Sequence, residues 1–282
     1  MKLNLGFSPC PNDTFIFDAL IHHKIDTEGL EFNVCFDDVE TLNQKVFRSE
    51  TDISKLSYHA YAYATHNYVL LDAGSALGFG VGPLLITKKQ DLMTPEQIHA
   101  QAHSLTVAIP GEYTTANFLL NLAFPSLSNK KHLNFSEIED SLLKGETDLG
   151  LIIHENRFTY AEKGLHKIID LGDFWEQRTG CPIPLGGIVV NRKLDPAIQH
   201  TLNRILRKSV EYAFAHPESG IEFIKSHAQE MDEQVMYKHI DLYVNQFSID
   251  LGKEGRHAIH TLFQLASELA IIPKVKDPIF LS

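Results

Sequence analysis

The chain has 282 residues, 44% hydrophobic and 22% charged, with a formal net charge of −11. This length is long for one hydrophobic core and comfortable for two, and the composition is that of a globular protein. The acidic balance argues against nucleic acid and anionic membrane surfaces as partners, while a closed cleft can still be locally positive toward a small anion.

Met1 to Cys10 lacks the apolar run and small-residue cleavage site of a secretory signal, and no stretch approaches the roughly 18 apolar residues that a span needs. A cytoplasmic location is therefore expected. Cys10, Cys35 and Cys181 are odd in number and without CxxC spacing, which argues against a disulfide framework and a zinc knuckle.

Leu3 to Phe7 alternates weakly and reads as a strand. The turn cluster Ser8-Pro-Cys-Pro-Asn-Asp-Thr14 then opens a helix through Ile21, with Asn12 or Asp13 as its expected N-cap. A helix start aimed at the top of a sheet suits an anion. Leu30 to Phe36 is a second strand, and Val39 to Phe47 an amphipathic helix with apolar residues at 39, 42, 46 and 47. A third strand, Thr51 to Ser57, ends in the polar group around Lys55, Leu56 and Ser57.

An internal echo then appears. Placing Asp52 over Asp148 sets Glu50-Thr51-Asp52 on Glu146-Thr147-Asp148, Leu42 on Ile138, Val46 on Leu142 and Phe47 on Leu143. A second echo sets Gly82 to Lys89 beside Gly186 to Lys193, each an apolar strand ending in a basic pair. The period, about a hundred residues, suits two similar α/β lobes rather than a solenoid. The two Gly-led strands read as the crossings. The expected lobes are 1–88 plus 190–282 and 89–189, with the ends of equivalent strands facing each other across a cleft.

In the smaller lobe, Ser104 to Ile109 is a strand and Pro110 to Ala116 a turn opening a helix. Thr114 and Thr115 sit at or next to its N-cap, offering hydroxyls beside unpaired backbone N–H groups, and an ordinary capped helix is the plain alternative. Leu149 to Ile153 reads as a buried strand that delivers His154 to the crevice beyond the sheet's carboxyl ends, where open α/β sheets bind ligands. The plain alternative is a histidine that closes a strand and bonds a nearby carbonyl. Pro196 to Phe214 is a long helix, further helical segments run through Leu269, and the C-terminal stretch is expected to pack on the surface.

Several motifs fail. Gly78-Phe-Gly80-Val-Gly82 is followed by Pro83 and a strand, so it is no dinucleotide loop, and Phe158 stands where HExxH needs its second histidine. His22 and His23 are neighbours and point apart on a helix, as on a solvated surface. No Walker loop or GxSxG elbow is present.

Four segments, Ser8-Pro-Cys-Pro-Asn-Asp-Thr-Phe15, Ser54-Lys-Leu-Ser-Tyr58, Pro110-Gly-Glu-Tyr-Thr-Thr-Ala116 and Leu151-Ile-Ile-His-Glu155, resemble in the same order the 1,4-dihydroxy-6-naphthoate synthase family of the futalosine route to menaquinone. The resemblance runs to about Arg192 and weakens in the C-terminal helices. It implies a two-lobed periplasmic-binding-protein type II fold with a ligand cleft between lobes, used as a cytoplasmic enzyme. The implied activity is that of a lyase turning cyclic dehypoxanthinyl futalosine into 1,4-dihydroxy-6-naphthoate and a sugar-derived fragment, with no metal or redox cofactor. It makes His154 the base and matches Lys55, Leu56, Ser57, Thr114 and Thr115 to product-binding positions, Leu56 standing where valine is more usual. Ser8, Asn12 and Asp13, at the opening of the first helix, join them as candidate binders of a small aryl carboxylate.

The nearest rival is the chorismate dehydratase of the same pathway; the Ser-Pro-Cys-Pro-Asn-Asp start and the Ile-Ile-His-Glu segment favour the synthase. A non-catalytic solute receptor predicts a signal peptide or lipobox cysteine, and a transcription regulator predicts a helix-turn-helix domain. Neither pattern is found.

Overall fold

A computed structural model of the chain describes residues 1–88, 93–228 and 232–282. They form two compact units, Met1–Gly78 with Pro184–Ser282, and Phe79–Ile183. The first unit opens with β1 (Lys2–Phe7), α1 (Pro11–Ile21), β2 (Glu31–Phe36), α2 (Val39–Phe47), β3 (Ile53–Ser57), α3 (Tyr58–Ala64), β4 (Tyr68–Leu70) and β5 (Ala76–Gly78). The second holds β6 (Leu84–Lys88), α4 (Pro95–Gln101), β7 (Val107–Ile109), α5 (Thr115–Ala123), β8 (Lys130–His132), α6 (Ile138–Lys144), β9 (Leu149–Ile152), α7 (Asn156–Thr159), β10 (Leu165–Asp170) and α8 (Leu171–Thr179). The chain then returns through β11 (Ile183–Asn191) to α9 (Pro196–Ala215), α10 (Ile221–His227), α11 (Glu233–Tyr243), α12 (Gln246–Ile249) and α13 (Gly252–Glu268).

The two sheets share one plan. In the first the order is β2-β1-β3-β11-β4, with β5 paired to β11; in the second it is β8-β7-β9-β6-β10. Each begins with a parallel trio, followed by a strand antiparallel to both of its neighbours, β11 or β6. Pairing explains where the units change over. Strand β6 bonds to β9 and β10, and β11 to β3 and β4, so the chain leaves the first unit at 78/79 and re-enters it at 183/184, where the expected lobe boundaries stood at 88/89 and 189/190. Lys89, the second basic residue of the first Gly-led echo, lies outside the described residues.

The echo of Asp52 and Asp148 is visible in atoms. Asp52 Oδ2 accepts from Asn4 N at 2.8 Å, and Asp52 N donates to Asn4 O at 3.0 Å. Asp148 does the same with Thr106, at 2.7 Å and 2.9 Å. The preceding helices also end alike. Ser49, at φ +55, closes α2 with Ser49 N to Val46 O and Glu50 N to Lys45 O, while Gly145, at φ +73, closes α6 with Gly145 N to Leu142 O and Glu146 N to Ser141 O. Both are left-handed helix ends that satisfy the last carbonyls. Glycine takes that conformation freely; serine takes it at some cost.

Helix α2 has the expected bounds, with Asp38 as its N-cap accepting from Glu40 N and Thr41 N. The start of α1 differs from expectation. Cys10 is the N-cap and Pro11 the first helical residue, which puts Asn12 and Asp13 inside the first turn. Proline suits that position because its fixed φ is already helical and its missing N–H would have had no partner.

In the first unit, Leu5, Phe7, Phe17, Ile188, Val190, Ile205 and Val210 form the centre of a core in which α1 packs on α9, α10 and α11. In the second, Leu84, Ile86, Ala108, Ile138, Leu142 and Ile152 do so. The C-terminal stretch, expected only to lie on the surface, closes a sheet edge: Leu70 N donates to Ile279 O and Leu281 N to Leu70 O, each at 3.0 Å. This covers the open side of β4, which an uncovered edge would present to other chains. Among the described residues no helix is long and apolar enough to cross a membrane.

The edge strand β8 is tied to α5 by Lys130, whose ammonium donates to Asn117 Oδ1 at 2.7 Å and to Asn121 Oδ1. Burial pushes that ammonium down from 10.5 to about 8. Between those pH values the unfolded chain holds a proton that the folded chain has lost, so stability rises with pH across the window and the penalty is full below it. The melting midpoint of the wild type is therefore expected to climb relative to that of Lys130→Met as pH rises from 8 to 10.5. Parallel curves would contradict the assignment.

Candidate functional site

In the first unit, β1 and β3 are parallel neighbours, with Leu5 opposite Ile53 and Gly6 opposite Ser54. Their carboxyl ends therefore deliver Ser8 to Asp13 and Lys55 to Ser57 to one end of the sheet. Asp13 is 1% exposed and accepts four hydrogen bonds: Oδ1 from Lys55 Nζ at 2.6 Å and Asn12 Nδ2 at 2.9 Å, Oδ2 from Ser8 Oγ at 2.8 Å and Ser8 N at 3.2 Å. That fills the lone-pair sites of a carboxylate. Asp13 is thus the counter-charge of a buried lysine. Lys55 was named from the sequence, and the structure shows that it is buried against this carboxylate.

Asn12 stands between Asp13 and a residue not singled out from the sequence: its Oδ1 bonds His239 Nε2 of α11 at 2.8 Å. Ser57 also has an unforeseen partner. Asn43 of α2, fully buried, accepts from Ser57 N at 3.0 Å and donates from Nδ2 to Ser57 Oγ at 3.3 Å. Leu56 is fully buried, pairs with Gly187 and offers only backbone to a ligand. Beside it β11 must carry glycine, because a Cβ on Gly186 would stand 2.8 Å from Leu56 O.

In the second unit, β7 and β9 are the equivalent parallel neighbours, and their carboxyl ends deliver Pro110 to Thr115 and Ile153 to Glu155. Thr114 caps α5: its Oγ1 accepts from Asn117 N at 3.2 Å and donates to Gly111 O at 2.9 Å. Thr115 opens that helix, and both threonines are buried.

His154 follows β9 with φ +57, a left-handed conformation for a residue that carries a Cβ. Such a backbone costs on the order of 1–3 kcal/mol and persists only where its surroundings over-determine it. Those surroundings are explicit. Arg157 donates from Nη1 to Gly82 O and from Nη2 to Asp170 Oδ2 at 2.9 Å. Asp170 in turn caps α8 through Gly172 N at 2.8 Å. On the other side, Glu139 Oε2 takes Asn156 Nδ2 at 2.5 Å and Lys163 Nζ at 2.6 Å. Gly82 is required for the close approach, since a Cβ there would lie 2.1 Å from Gly172 N. The imidazole meets Phe135 edge-on, with ring centroids 4.9 Å apart.

Asn43 and Glu139 occupy the same place in the internal repeat, one residue after the paired Leu42 and Ile138. Each is a buried polar side chain: Asn43 holds the last residue of β3, and Glu139 holds the segment that follows β9. A polar residue beside the apolar stripe of both aligned helices was the signal for them.

A family model described as menaquinone biosynthesis matches residues 3–268. A Thermus thermophilus protein named 1,4-dihydroxy-6-naphtoate synthase is 42% identical over 278 residues, 99% of this chain and 98% of its own. The crystal structure of an Archaeoglobus fulgidus protein is similar with a TM-score of 0.88 at 32% identity, covering 96% of this chain and 98% of that one. The periplasmic aliphatic sulphonate binding protein of Escherichia coli is similar with a TM-score of 0.65 at 11% identity, covering 100% and 94%. The fold is thus the two-lobed α/β fold of periplasmic binding proteins.

Removing Arg157 leaves Asp170, 5% exposed at its side chain, without its cation. Loss of one partner of a buried pair typically costs ~3–5 kcal/mol. Arg157→Ala is expected to lower unfolding stability by about that amount and to shift the imidazole resonances of His154, and Arg157→Lys to recover only part, because an ammonium cannot reproduce the fork. An unchanged melt with unchanged resonances would remove Arg157 from the brace.

Proposed function

The chain belongs to the menaquinone-biosynthesis family, and from that premise we propose that it is a cytoplasmic lyase converting cyclic dehypoxanthinyl futalosine into 1,4-dihydroxy-6-naphthoate with release of a sugar-derived fragment. Breaking a bond next to a ketone requires a base to take the acidified proton and donors to hold the enolate that forms. His154 is that base. Neutral imidazole accepts the C–H proton, and the electron pair becomes the enolate. Its collapse breaks the bond to the fragment, which leaves with that bond's electron pair and takes the proton from the imidazolium as the new ring becomes aromatic.

The observation that supports this assignment is the left-handed turn of His154, fastened on both sides by Arg157 and by the Asn156 contact to Glu139. Strained backbone that is firmly held is a common mark of a working position. Two donor sets are candidates for holding the substrate's aryl carboxylate and the developing oxyanion. Thr114 and Thr115 offer hydroxyls at the start of α5, where backbone N–H groups favour anions. Lys55, Leu56 and Ser57 offer an ammonium, backbone and a hydroxyl at the end of β3. Ser8, Asn12 and Asp13 hold the loop beside Lys55 rather than meeting the reacting atoms.

The test is direct. Purified protein is mixed with cyclic dehypoxanthinyl futalosine and, in a second vessel, with chorismate, and products are followed by mass and absorbance. Dihydroxynaphthoate in the first vessel and unchanged chorismate in the second are expected. Dehydration of chorismate with no naphthoate would overturn the assignment in favour of the sister enzyme of that pathway.

A further inference from the structure

The polar chain that ends at Lys55 begins in α11, far away in sequence. His239 is fully buried, and its Nε2 bonds Asn12 Oδ1 at 2.8 Å. Asn12 Nδ2 donates to Asp13 Oδ1 at 2.9 Å, and the same oxygen takes Lys55 Nζ at 2.6 Å. Asn12, Asp13 and Lys55 are themselves 7%, 1% and 6% exposed. The directions of these bonds are forced. The amide face toward a carboxylate must be its NH2, so the face toward His239 is its oxygen, and Nε2 carries the hydrogen.

The geometry points to His239 as a positioning residue: through Asn12 and Asp13 it fixes where the Lys55 ammonium points. This rests on the reading of Lys55 as a substrate-holding group. The histidine sets the rotation of the Asn12 amide, the amide fixes the carboxylate plane together with Ser8, and the carboxylate holds one of the three N–H groups of Lys55. The remaining two are thereby aimed rather than left to rotate. An apolar residue in place of His239 leaves a buried amide oxygen without its donor, which frees the amide to turn.

The experiment uses His239→Leu and His239→Gln in the full chain, with melting curves as the folding control, steady-state kinetics on cyclic dehypoxanthinyl futalosine, and the 15N-detected ammonium signal of Lys55, assigned with Lys55→Arg. For His239→Leu the expectation is a KM raised about tenfold, the worth of about 1.4 kcal/mol, with kcat within about threefold and the Lys55 signal shifted or broadened. Glutamine keeps an N–H donor and should return KM and the signal toward wild type. A folded His239→Leu protein with wild-type KM and an unmoved Lys55 signal would overturn the inference and leave His239 a packing residue. Wild-type protein without turnover would overturn the functional reading instead, and a signal that still moved in the variant would leave the His239 to Lys55 link standing.

Discussion

A segment that leaves the carboxyl end of a parallel strand has lost its ladder partners, and its buried backbone and side chains must be satisfied some other way. This constraint governs both units. Each uses a buried polar side chain of the preceding helix there: Asn43 holds Ser57, the last residue of β3, and Glu139 holds Asn156 beyond β9. The second unit adds Arg157, which fastens the same segment to Gly82 O and Asp170. The candidate groups therefore sit at the end of a strand or on short, firmly tied connections rather than on open loops. Reacting groups held in this way need little rearrangement when charge develops.

A chain of net charge −11 can still hold a buried cation, Lys55. Total charge shapes long-range encounter, whereas a bound ligand meets individual groups. Lys55 and Asp13 form a buried pair whose desolvation is offset only because the carboxylate collects three further hydrogen bonds from Ser8 and Asn12. Such pairs add little net stability over an apolar replacement.

Local pattern carried much of the fold. The bounds of α2 follow from its apolar spacing and the Asp38 cap, and the pairing of Asp52 with Asp148 marks a structural repeat that extends to hydrogen bonds and strand order. The position of His154 just past a buried strand was legible because an apolar run stops at it. What stayed hidden depends on distant partners. Nothing near His239 in sequence names Asn12, which is 227 residues away, and nothing near Leu70 names the C-terminal stretch that covers it. The start of α1 was misplaced for a local reason: polar side chains at Asn12 and Asp13 suggested caps, but Pro11 had already begun the helix and those side chains turn inward to the lysine network.

His154 acting as a base and His154 merely closing a strand predict different kinetics. The most direct measurement is the single-turnover rate of His154→Ala on cyclic dehypoxanthinyl futalosine, alone and with increasing concentrations of imidazole and its methylated relatives. A positioned base is typically worth 10²–10⁴ in rate. For a base at His154 the expected result is a loss of at least about a hundredfold, partly restored by added imidazole in proportion to the basicity of the compound. A variant that turns over within about tenfold of wild type and ignores added imidazole would show that the proton is taken by some other group.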